Sequence, residues 1–182
     1  MNASKMLISV LVVFCVLVFM ENSSAKRKPL EPKITLTISA TELKITGGPG
    51  HACNYSIHMG CVKVPGRETA EIEFTLLGTP NWKFTRMQLV PGANAGKFDF
   101  NPLNGRLSIN ERRDFSVEID NQFIHPDSNG IIDLTGLAGN GRTFILYDEN
   151  EVEQTYGYQI EACITDTNCK ETDPKIENEG RR

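Results

Sequence analysis

GGPGHACNYSIHMGC, residues 47–61, gathers His51, Cys53, His58 and Cys61 behind a glycine-proline turn, and these are the residue types that zinc prefers. The H-x-C-x4-H-x2-C spacing matches no finger or ribbon arrangement. In an extended backbone His51 and Cys53 share a face, whereas His58 and Cys61 fall on opposite faces, so a tetrahedral site requires the segment to curl. The competing chemistry is a disulfide, Cys53 with Cys61, whose short loop is worth roughly 2 to 3 kcal/mol through chain entropy. No C-x-x-C is present, and nothing marks a cysteine of low pKa. Asn54-Tyr55-Ser56 inside the loop fits an N-glycosylation sequon.

DSNGIID, residues 127–133, offers Asp127, Asn129 and Asp133 around a glycine, as a calcium loop does. An EF-hand wants an oxygen ligand at its fifth position, glycine at its sixth and a bidentate glutamate at its twelfth; here the fifth is Ile131, the glycine comes early and the twelfth is Ala138. A polar hairpin turn is the better fit. His125 precedes Pro126 and belongs to an exposed loop. No G-x-S-x-G, H-E-x-x-H, P-loop or G-x-G-x-x-G occurs, so no catalytic residue is assigned and no cofactor is implied. Trp82, Tyr147, Tyr156 and Tyr158 could stack on carbohydrate, but their strand parity favours core packing.

Oxidation state depends on compartment. Leu7 to Met20 is an apolar run between a weakly basic head and polar ENSSA, the layout of a secretory signal peptide over residues 1–25 with cleavage expected before Lys26. The run is shorter than the roughly 20 residues that span a bilayer, so no stable membrane span is expected after cleavage. An uncleaved anchor flanked by Lys26-Arg27-Lys28 is the alternative. Removal leaves 157 residues with the net charge unchanged at −4. A mildly acidic chain with scattered basic residues gives no electrostatic reason to bind nucleic acid. Cys53, Cys61, Cys163 and Cys169 remain, an even count that in a secreted or periplasmic protein reads as disulfides. Spacing favours the local pairs 53–61 and 163–169, with cross-linking of the domain's two ends the alternative.

The elements that must position these residues are strands. KITLTIS (33–39), AEIEFTLL (70–77) and DFSVEID (114–120) alternate apolar and polar residues with period two, the signature of one buried and one wet face. WKFTRMQLV (82–90) changes phase between Phe84 and Met87, and a β-bulge at Thr85-Arg86 repairs it. RTFILY (142–147) is continuous and suits a central strand covered on both sides. TYGYQIEACIT (155–165) puts Tyr156, Tyr158, Ile160, Ala162 and Ile164 on one face and Cys163 on the other. Asn104-Gly105 within FDFNPLNGRLSI (98–109) signals a hairpin. No window carries a sustained helical stripe. These features predict one antiparallel, immunoglobulin-like β-sandwich over residues 33–170, preceded by a polar tail (26–32) and followed by a C-terminal tail or edge strand (171–182).

The run TDPKIENEG, residues 172–180, resembles the signature of the DP-EP family of uncharacterised bacterial proteins. Asp173-Pro174, Ile176 and Asn178-Glu179 fit, while Gly180 stands where the second proline belongs. The resemblance implies a small β-sandwich of unknown function and transfers no binding residue. The expected role is therefore an exported interaction or structural module with an unknown protein or carbohydrate partner. The alternative is a metal- or carbohydrate-binding domain that uses residues 47–61 or exposed aromatics.

Overall fold

The computed structural model describes residues 28–39, 42–48, 61–66, 68–92, 106–172, 175–178 and 180. Among these residues, twelve strands form two sheets. The first runs β2 (Leu43–Gly47), β1 (Lys33–Ile38), β4 (Ala70–Gly78), β9 (Thr143–Asp148), β6 (Phe115–Ile119) and β7 (Gln122–Ile124). The second runs β3 (Val62–Val64), β12 (Lys175–Asn178), β10 (Gln154–Thr165), β5 (Lys83–Pro91) and β8 (Ile131–Asp133), with β11 (Asn168–Thr172) beside β10. The molecule is an all-β sandwich with mostly antiparallel sheets.

Alternating strands supply the core. Ala70, Ile72, Phe74 and Leu76 of β4 face Tyr156, Tyr158, Ile160 and Ala162 of β10, all buried. Rings knit the sheets together: Phe74, stacked on Phe144 of its own sheet at 4.8 Å, meets Tyr158 of the other sheet edge-on at 5.4 Å, and Phe115 meets Tyr156 across the sheets edge-on at 4.8 Å. Edge-to-face contacts of this kind are each worth about 0.5–1.5 kcal/mol beyond the area they bury. Trp82, Tyr156 and Tyr158 are core residues, as parity favours, and only Tyr147 of the four aromatic candidates is half-buried. Tyr147 packs against the exposed Phe123 and donates to Glu118 at 3.4 Å.

Several expectations need correction. Two pairings are parallel, β1 with β4 and β3 with β12, because the chain crosses between sheets before it returns to each of these neighbours. Leu30, within the expected polar tail, already bridges Ala70 in parallel and donates its N–H to the Thr69 carbonyl. β9 is central, yet Ile145 and Tyr147 stay half-buried, so its second face is not fully covered. Ile164 is 42% exposed because the register with β11 shifts between Cys163 and Thr165.

The second arm of the expected Asn104-Gly105 hairpin is not a strand among the described residues. Arg106 to Ser108 is irregular, and Ile109–Asp114 forms the short helix α1. Ser108 and Glu111 close a capping box at its start, each side chain bonding the other's backbone N–H. The tail also differs from expectation. Residues 171–172 belong to β11 and 175–178 form β12, which lies between β10 and β3 instead of at an edge. Both strands keep one register along β10, from Cys163 opposite Cys169 to Gln154 opposite Asn178. Continuing that register buries Ile176 against Val62 and Tyr156 as a paired interior strand.

Candidate functional site, an acid groove beside a disulfide

The outer face of the second sheet carries an open groove of about 470 Å³. Its origin is the phase change in β5. Opposite β10, Arg86 pairs with Glu161 and Phe84 with Ala162, leaving Thr85 as the extra residue of a bulge where the sequence predicts one. A bulge sets two residues against one across the ladder. Here both reach the same carboxylate: Thr85 Oγ1 donates to Glu161 Oε1 at 2.7 Å and Arg86 Nη2 donates to Oε2 at 2.8 Å. Glu161 is nine-tenths buried, whereas the Arg86 side chain is 40% exposed. A buried carboxylate without partners is costly, so each of these charge-assisted bonds contributes about 1.5–3 kcal/mol.

Beside Glu161 lies the Cys163–Cys169 disulfide, with Cα atoms 4.1 Å apart and the two residues directly opposite on the β10–β11 hairpin. Cys163 leaves the core face by strand parity and lines the groove with Cys169. The Thr85 hydroxyl is 3.3 Å from Cys163 Sγ, but its single hydrogen is committed to Glu161, so this is a packing contact. Exposed Asp133, Thr135 and Asp166 form the rim. Further along the same face, Gln159 Nε2 donates to Glu171 at 2.7 Å.

A different polar cluster occupies the other end of β10. Buried Asn150, at φ 50°, donates from its side-chain amide to the Pro65 carbonyl at 2.8 Å and the Glu68 carbonyl at 3.1 Å, with the Val64 carbonyl at 3.3 Å sharing a hydrogen. Its Oδ1 accepts from Gly180 N–H at 2.9 Å. Asp148 Oδ1 accepts from Asn150 N–H, and the two oxygens of Asp114 accept from Glu151 and Val152 N–H at 2.7 and 2.9 Å. Gly180, at φ 69°, admits no other residue, since a Cβ there would fall 2.7 Å from Glu153. Tyr156 Oη, nearby, has no hydrogen-bond partner among the described residues. Burial raises the Tyr156 phenol well above its ordinary value, and the charges of Glu111, Asp114 and Asp148 push it the same way.

The sequence-derived candidates are dispersed. His51, Cys53, Asn54 and His58 lie outside the described residues, while Cys61 is fully buried and disulfide-bonded. Asp127 Oδ1 accepts from the Asn129 and Ile131 N–H groups at 2.8 and 2.9 Å, and Asp133 Oδ1 accepts from Thr135 N–H and Oγ1. These two carboxylates close separate turns, and Asn129 offers its carbonyl to Gln88 instead. His125 is exposed, with Nδ1 2.7 Å from the Phe115 carbonyl, which places its proton on Nδ1. The grouping with metal-ligand geometry among the described residues is Glu161, Cys163 and Cys169, whose ligand atoms lie within 4.8 Å of one another. Glu161 was missed by sequence reasoning; the signal was the predicted bulge, which points Thr85 and Arg86 at one partner.

No family model matches the chain, and no curated protein matches it either. Among solved structures it is similar to a multicopper oxidase from the hyperthermophile Aquifex aeolicus, at 11% identity and a TM-score of 0.40. The match covers 84% of this chain and 30% of the oxidase.

Proposed function

We propose that the chain is an exported, disulfide-stapled β-sandwich that acts by surface contact, with the groove on the second sheet as its contact face and a polar protein segment as its partner. The observation that supports this reading is the Thr85–Glu161–Arg86 arrangement, which holds a buried acid in a fixed pose at the floor of an open groove. Asp133 and Asp166 on the rim and the half-exposed Arg86 offer both charge signs to backbone and side-chain groups of an extended partner. The DP-EP resemblance is compatible with this role, and Ile176 of that run serves as a core residue.

A photo-reactive residue at Asp133 or Asp166 in the secreted protein tests the face, with Glu118 on the opposite sheet as the reference position. The expected result is one shared adduct from the two groove positions, absent from Glu118 and lost on Arg86→Glu. Equal adducts from both faces, or none at the groove, would sink the proposal. The mass of the released chain checks export independently, with Lys26 as its expected first residue.

A further inference from the structure

We propose that reduction of the Cys163–Cys169 disulfide converts the groove floor into a zinc site, with both thiolates and the Glu161 carboxylate as ligands. Zinc takes sulfur and oxygen ligands in tetrahedral sets, and three protein ligands leave a fourth position for water. The three ligand atoms already lie within 4.8 Å of one another, and the two cysteines face each other on one hairpin. Breaking the S–S bond lets the sulfurs separate without moving either strand. Glu161 is prepared as a ligand, because Thr85 and Arg86 fix its two oxygens and each oxygen keeps an unused lone pair. Ligating carboxylates are characteristically held this way by outer partners.

The charges also close. A zinc dication with two thiolates and one carboxylate carries a single negative charge, and the Arg86 guanidinium at 2.8 Å from Glu161 balances it. The conversion needs a two-electron reductant. A dithiol supplies the two electrons and two protons by becoming a disulfide, a phosphine does so with water by becoming its oxide, and zinc then displaces both protons of the resulting Cys163 and Cys169 thiols to solvent. The oxidised form has no thiolate to offer at this position, so metal affinity reports the redox state of the groove.

The test uses the full chain, reduced with a phosphine that is removed under anaerobic conditions, then titrated with Zn²⁺ against a chromophoric chelator. The expected result is zinc at Cys163 and Cys169 in the reduced chain and none in the oxidised chain. The double variant C163S/C169S loses this zinc, while any metal held by residues 51–61 persists in it and is subtracted. E161Q keeps both cysteines and weakens binding by about 10- to 100-fold, at least the loss that outer-shell partners produce. Cobalt in place of zinc should give thiolate charge-transfer absorption in the reduced wild type, and buried Trp82 reports by fluorescence whether each variant keeps its core. No zinc in the reduced chain, equal affinity in E161Q, or undiminished zinc in C163S/C169S overturns the proposal.

Discussion

The two ends of β10 treat buried polar groups in opposite ways. Near Gln154, Asn150, Asp114 and Asp148 give their side chains to backbone N–H and C=O groups. Near Thr165, Glu161 is bonded to other side chains and lies under an open surface with a disulfide beside it. Backbone partners cannot be exchanged without unmaking the fold, whereas side-chain partners can rotate away. The first end therefore reads as a clasp and the second as a place where something can bind.

Asn150→Ala should have the largest effect, a loss of about 3 kcal/mol or more in chemical denaturation, because the part-buried Pro65 and Glu68 carbonyls and the buried Gly180 N–H lose their partner at once. Asn150→Gly sharpens the point: it suits the positive φ but restores no hydrogen bond, so near wild-type stability would locate the clasp in backbone conformation instead. At the other end, replacing Cys163 and Cys169 with serine should cost roughly 2 kcal/mol, the loop-closure value for a sequence separation of 6.

Arg86→Ala should cost about 1–2 kcal/mol, and added salt should narrow its gap from wild type because the guanidinium is partly solvated. A cost as large as that of Asn150→Ala would erase the contrast between clasp and groove. Tyr156→Phe should change stability at neutral pH by less than about 1 kcal/mol, since the removed hydroxyl bonds to nothing among the described residues. Its effect appears in alkali. The unfolded chain releases phenol protons near 10.0, while burial keeps Tyr156 and Tyr158 protonated beyond that value in the fold. The stability they carry is complete below pH 10 and is lost as pH rises, by about 1.4 kcal/mol per unit for each group. The alkaline limb of a pH–stability curve should be shallower in Tyr156→Phe; an unchanged slope removes this residue from the account.

The sandwich was legible because two-residue periodicity survives in β1, β4, β6 and β10, and even the bulge showed as a broken alternation in β5. Parallel pairing was not legible, since it depends on where the chain crosses and not on which face a residue occupies. Helix α1 had a readable signal in Ser108-x-x-Glu111, but the Asn104-Gly105 turn upstream suggested a strand. The groove stayed hidden because Thr85, Arg86 and Glu161 are ordinary polar residues on wet parity, and only register brings them together across some 75 positions. The histidines and cysteines of residues 47–61 drew attention by type alone.

Strand β12 sets a schedule as well as a topology. Among the described residues Val62–Val64 pairs in its sheet with Ile176–Asn178, more than a hundred residues later in the chain, so this parallel ladder cannot form while most of the protein is being made. Contacts of such span slow folding, because a large loop must be closed before pairing repays it. A nascent chain would thus lack this part of the second sheet until β12 emerged. Pulse-labelled chains truncated before Lys175 should remain protease-sensitive at β3 while the full chain becomes resistant.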